Sequence, residues 1–198
     1  MSKRGRLFVL SAPSGSGKTT MFWALLGKDR NRVRSISATT RAPRAGERDG
    51  KDYIFLSPAQ FRRGIAAGKF LEHARVLKNW YGTPRGPIEK ALKAGKDVLL
   101  GIDIQGARQI RRGRLPATTI FLLPPSLAVL RQRLKRRATE TPAQIRERLR
   151  LARKELKEVG KYDYAVVNDR LPDAVAAVEA ILRAEHHRVE KKRGNKWL

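Results

Sequence analysis

Apolar residues fall along this chain in two alternating patterns. The first is a set of short blocks near 7–10, 33–37, 97–103, 118–123 and 163–167, each bounded by glycine, proline, a carboxylate or a polar turn. Asp97-Val98-Leu99-Leu100-Gly101-Ile102-Asp103 has the form of a central parallel strand, apolar on both faces. The second pattern has helical spacing. Met21 to Leu26 reads as a helix ending at Gly27, and shorter helices are expected over 87–94, closed by Gly95, and from Gln105-Gly106-Ala107 onward. Ser57-Pro58-Ala59-Gln60 and Thr141-Pro142-Ala143-Gln144 both read as capping boxes with proline at the first helical position. The second opens a helix with Ile145, Leu149, Ala152, Leu156 and Val159 on one face, and Ser126 caps the helix before it. A last helix over 172–184 turns Val175, Val178, Ile181 and Leu182 inward.

Strand and helix in alternation predict an α/β protein with a five-stranded parallel core sheet flanked by helices. Two stretches break the alternation. Residues 38–95 contain extra strands at 53–56 and 70–77 among polar turns, and residues 126–160 form a helical hairpin with 11 basic and 4 acidic residues. Both are expected above the sheet edge, with 1–37, 96–125 and 161–187 as the core and 188–198 as a basic tail.

The chemistry is densest after the first block. Ala12-Pro13-Ser14-Gly15-Ser16-Gly17-Lys18-Thr19-Thr20 lies between strand and helix, the context a P-loop requires. Gly15 and Gly17 let the backbone approach a phosphate closely, and the loop amides and helix N-terminus present partial positive charge to it. Lys18 would reach the β/γ-phosphates of a nucleoside triphosphate, and the Thr19 hydroxyl would hold Mg²⁺.

Composition narrows the class. The chain has 198 residues, 44 Lys+Arg against 18 Asp+Glu, a formal charge of +26 and no cysteine. Disulfides and thiol chemistry are excluded, and such a field attracts polyanions, including nonspecific ones. No apolar run approaches membrane-spanning length and no secretory apolar segment follows Met1, so no membrane partner is expected and the cytoplasm is the expected location. No RNA-binding aromatic motif or helix-turn-helix supports a nucleic-acid binder. Arg41 and Arg44, three residues apart around Pro43, have the fork geometry that suits phosphate. Asp103 ends its strand at the carboxyl edge, where ligands bind in parallel α/β sheets. Arg148, at the border of its helix's apolar stripe, can face a cleft. His73 has no nucleophile or ligand beside it and reads as structural.

Taken in order, these motifs resemble the bacterial guanylate kinase family from about Leu7 to His187. The resemblance rests on the P-loop, Thr39-Thr40-Arg41 through Arg44-Ala45-Gly46-Glu47 to Gly50-Lys51-Asp52-Tyr53, Phe70-Leu71-Glu72-His73-Ala74, Tyr81-Gly82-Thr83, Ile102-Asp103-Ile104-Gln105-Gly106-Ala107 and Val167-Asn168-Asp169. It implies a P-loop kinase fold in which 38–95 bind GMP and 126–160 form a lid, and an ATP-dependent conversion of GMP to GDP, with Mg²⁺ and with dGMP also accepted. It further implies that Ser37, Arg41, Arg44, Tyr53 and Tyr81 surround the GMP phosphate. Glu72, Thr83 and Asp103 surround guanine, Arg137 and Arg148 close on the transferring phosphate, and Asn168 lies near adenine.

The chain departs from the family pattern at three places. Gly101 stands where an acidic residue is usual, Ala138 follows Arg137 in place of glycine, and Trp80 replaces a common tyrosine. A binding module of the same build without turnover, and a P-loop kinase for another phosphorylated substrate, are the alternatives.

Overall fold

The structure is a computed structural model and describes residues 4–76, 78–136 and 141–189. Its elements are β1 (Leu7–Ser11), α1 (Lys18–Gly27), β2 (Arg32–Arg34), β3 (Ala38–Thr39), β4 (Ile54–Phe55), α2 (Pro58–Ala66), β5 (Phe70–Val76), β6 (Asn79–Pro84), α3 (Arg85–Lys93), β7 (Asp97–Gly101), α4 (Ile104–Arg112), β8 (Thr118–Leu123), α5 (Leu127–Arg136), α6 (Pro142–Leu156), β9 (Tyr164–Val167) and α7 (Leu171–His187). The five-stranded sheet has the order β2-β7-β1-β8-β9, and every pairing in it is parallel. β1, the middle strand, is buried at every position.

Alternation along β1 divides the core. Phe8 and Leu10 pack with Leu99, Ile120 and Leu122 against Met21 and Leu25 of α1 and Val175, Val178 and Leu182 of α7. Leu7 and Val9 point the other way, with Val98 and Leu100, against α3 and α4. Each face is covered by helices, which is why these strands read as continuous apolar runs.

A second sheet, in the order β4-β3-β6-β5, is mixed, with two-residue strands β3 and β4 beside the longer β5 and β6. The strand expected over 33–37 is divided between the two sheets. Residues 32–34 pair with β7, and the chain then crosses so that Ala38 and Thr39 pair with β6. Polar Ser35 and Ser37 span the crossing. α3 starts at Arg85, two residues before the expected start, because Pro87 falls in the first turn, where its missing N–H loses no helical bond. Ile88 and Leu92 of α3 lie in the main core, and Leu71 of β5 packs against the same cluster.

Both capping boxes form. Ser57 N donates to Gln60 Oε1 at 2.7 Å and Gln60 N to Ser57 Oγ at 3.2 Å; the Thr141–Gln144 bonds are 2.8 and 3.3 Å. α5 and α6 have their own small core of Leu130, Leu134, Ile145 and Ala152. Among the described residues no helix is long and apolar enough to cross a membrane.

Candidate active site

β1 and β7 end side by side, and the loop after β1 curls over that edge. Gly15 has φ 92° and Gly17 φ 88°, backbone that side chains with a Cβ rarely adopt. Space is as restrictive as conformation. A Cβ on Gly17 would sit 2.4 Å from Asn168 Nδ2, and one on Gly15 would sit 3.0 Å from both Leu130 and Leu134 of α5. Asn168 is 4% exposed and donates from Nδ2 to Ser16 O at 2.8 Å, so its side chain fastens the loop from below. Lys18 Nζ donates to Ile102 O at 2.6 Å, and Ser11 Oγ to the same carbonyl at 3.2 Å. Burial pulls the Lys18 ammonium below its ordinary pKa, against the opposing pull of the Asp103, Glu155 and Glu72 carboxylates. Thr19 and Thr20 are exposed at the start of α1.

A second polar group lies within electrostatic reach of the lysine. Glu72 of β5 and Thr83 of β6 are register partners in an antiparallel pair, so both side chains lie on one face. Glu72 is 7% exposed and Thr83 is fully buried, and Thr83 Oγ1 donates to Glu72 Oε1 at 2.5 Å. Gly106 of α4 leaves room for the carboxylate, since a Cβ there would be 2.7 Å from Glu72 Oε2. Burial, helped by the nearby Asp103 charge, raises the Glu72 pKa to about 6, while the Thr83 bond and Lys18 oppose the rise. Asp103 caps α4, its Oδ1 accepting from Gly106 N at 2.8 Å. Gln109 ties α4 to β5 by accepting from His73 N at 3.1 Å and donating to His73 O at 2.7 Å.

The polar loop after β3 brings a third group together. Arg41 grips both oxygens of Glu47 at 2.8 Å and lies 5.5 Å over the Tyr53 ring, whose centroid is 6.1 Å from that of Tyr81. Glu47 also accepts from Arg44 N at 2.8 Å, and the Arg44 backbone bond and the Arg41 bond together hold its carboxyl below the ordinary range. The Arg44 side chain is exposed. Ser37 lies at the entrance to β3, its carbonyl accepting from Ile54 N at 2.9 Å.

The α5–α6 hairpin touches the loop after β1. Arg148 Nη1 donates to Ser14 Oγ at 2.8 Å. Arg137 and Ala138 lie outside the described residues. Three participants were not singled out from sequence. Arg133 of α5 donates to Asn168 O at 3.0 Å. Glu47 was quoted only as part of a motif. Glu155 stands seven residues after Arg148, two helical turns on the same face, and that spacing is the signal that would have found it. Gly101 has a neighbour that sequence could not supply: a Cβ there would be 2.9 Å from the Phe22 ring. Trp80 packs inward on Phe61, with centroids 6.0 Å apart.

Among the described residues there is no cluster of three or more His, Cys, Asp or Glu suited to a metal. One exposed hydroxyl, Thr19, beside a lysine within electrostatic reach of Asp103 and Glu155, fits a Mg²⁺ that arrives on phosphates and takes few protein ligands. The arrangement as a whole offers an anion cradle at the carboxyl edge of the core sheet and, with the second sheet, a buried carboxylate acceptor and an arginine–tyrosine cluster.

Comparison with known proteins agrees with this geometry. The guanylate kinase family profile matches residues 4–185. A guanylate kinase of Clostridium perfringens strain SM101 is 49% identical over 194 residues, covering 98% of this chain and 90% of the relative. One of Paramagnetospirillum magneticum is 47% identical, covering 98% and 91%. The crystal structure of guanylate kinase from Anaplasma phagocytophilum superposes with a TM-score of 0.74 at 36% identity, covering 95% of this chain and 89% of that one.

Proposed function

Since this chain belongs to the guanylate kinase family, and so transfers the γ-phosphoryl group of ATP to GMP, we propose how its own residues divide that work. Residues 12–20 cradle the ATP phosphates, with Lys18 the charged group aimed at the transferring phosphoryl and Asn168 at the adenine side. The Thr19 hydroxyl would hold a Mg²⁺ arriving with the triphosphate, and that ion would supply charge neutralisation there. Ser37, Arg41, Arg44, Tyr53 and Tyr81 receive the GMP phosphate, which takes over from Glu47 as the anionic partner of Arg41. Arg148, with Arg137, carries positive charge down from the lid. Transfer needs little covalent help; it needs two anions held in line, water excluded and charge balanced.

The observation that carries the base assignment is the buried Glu72 beside Thr83 and Gly106. Guanine presents N1–H and its N2 amine on one edge, and an ionised carboxylate accepts both. Adenine presents a lone pair there. With Asp103 alongside, the pocket accepts GMP and dGMP and rejects AMP. ATP and GMP as substrates support a cytoplasmic location. The strong positive charge also gives salt-dependent, nonspecific polyanion binding as a side property.

The test is ADP release from ATP with GMP, dGMP, AMP, UMP and CMP compared side by side. GMP and dGMP are expected to dominate. Equal use of AMP would overturn the base assignment, and no ADP release with any of them would favour a binding module without turnover.

A further inference from the structure

Lid closure brings more than arginine to the cradle. Arg148 and Glu155 share one face of α6, and with Arg148 bonded to Ser14 the Glu155 carboxylate is carried to within electrostatic reach of Lys18 and Asp103. Glu155 Oε2 is buried and has no hydrogen-bond partner among the described residues. A carboxylate oxygen kept from water and left unpartnered is costly, which points to a partner that arrives with the substrate. The charges that act on it are Asp103, at the start of α4, and Lys18, at the start of α1. An unpartnered carboxylate oxygen in reach of a second carboxylate is matched by a cation that both can face. Gly101, at the neighbouring strand end, has no carboxylate to offer, and the Phe22 ring crowds its place.

We propose that Glu155 is a specificity-determining residue through which the closed lid rejects free polyphosphate and accepts polyphosphate carried with a divalent cation. The inference rests on the cradle reading above. Without a cation, the phosphates meet the Glu155 and Asp103 carboxylates across from Lys18, and like charges in a partly dry cleft repel. With Mg²⁺ the same carboxylates face net positive charge on the metal side. A protein of charge +26 would otherwise take up any polyanion, and one buried negative charge supplies the discrimination.

Calorimetric titration of the full chain with inorganic tripolyphosphate, in excess Mg²⁺ or in a chelator, tests this without turnover. Wild type is expected to prefer the Mg²⁺ complex. Glu155→Gln removes the charge and keeps the shape, so affinity for metal-free tripolyphosphate should rise about tenfold, the scale of one unit charge at intermediate dielectric. Affinity for the Mg²⁺ complex should change far less. Glu155→Asp keeps the charge and should keep the preference. If Glu155→Gln matches wild type in both conditions, or weakens both in parallel, the proposal is overturned and Glu155 is structural. Binding that Lys18→Ala leaves untouched would instead overturn the cradle reading, and this proposal with it.

Discussion

The phosphate cradle at the carboxyl edge of the core sheet and the proposed base pocket on the second sheet handle charge in opposite ways. The cradle is mostly main chain. Its anion-binding groups are amides, its shape is set by two glycines at positive φ, Asn168 ties down the Ser16 carbonyl, and Lys18 is held on the Ile102 carbonyl after β7. The base pocket depends on a side chain. Its acceptor is a carboxylate that the fold has buried, with a single hydroxyl as direct partner. The cradle's cost is conformational and restricts which residues can stand there. The pocket's cost is electrostatic and is felt whenever Glu72 is ionised. A main-chain site binds any phosphate of the right size, whereas a side-chain site distinguishes one base from another.

The largest expected effect follows from that last contrast. Sites built on matched polar groups reject a mismatched analogue by roughly 10⁴-fold, so wild type should favour GMP over AMP on that scale in kcat/KM. Glu72→Leu should collapse the ratio mainly by losing GMP. An unchanged ratio would mean that the base is read elsewhere.

Next in size is the cradle's one charged side chain. Lys18→Ala should lower kcat by about 10²–10³, the usual loss for one preorganised donor, and should leave the GMP/AMP ratio alone. Near-normal rate in a folded variant would remove Lys18 from the site. A changed ratio would show that the two regions are not separable.

The smallest effect measures the pocket's cost directly. The Glu72 pKa is raised to about 6 from 4.5. A raised carboxyl favours folding while it is protonated, below its unfolded pKa, and that contribution is lost as pH climbs through the folded value. Above pH 6 the ionised form therefore costs about 2 kcal/mol. Glu72→Gln, which still offers Thr83 an acceptor, should be more stable than wild type to urea by that amount at pH 7.5 and no more stable near pH 4. Equal stabilities at both pH values would show that burying this charge costs the fold nothing.

Legibility in the sequence followed range. The P-loop, the two capping boxes and the apolar stripe of α6 are local patterns, and each was readable from residues a few positions apart. β1, β7 and β8 were readable because parallel strands buried on both faces are apolar almost throughout. What was hidden depends on distant register. Nothing near residue 33 announces that the chain leaves one sheet for another before Ala38. Nothing near Arg85 shows that α3 packs on the core sheet and not with the second sheet. The family resemblance supplied Arg41, Tyr53 and Tyr81, and the structure brings them together, but the Glu47 clamp on Arg41 needed the folded loop. Phe22 over Gly101, Arg133 on the Asn168 carbonyl and Glu155 facing Lys18 all join segments that only the fold makes neighbours.

The bond from Asn168 to Ser16 spans 152 residues, and it sets an order in time. The loop is among the first segments to leave the ribosome, but the side chain that fastens it is among the last of the sheet region. At typical synthesis rates the interval is roughly 10–30 s. During that interval the nascent chain holds its phosphate-binding motif without the support that shapes it. Tight nucleotide binding therefore reports on a finished chain: a fragment that stops short of residue 168 keeps the motif and lacks the cradle.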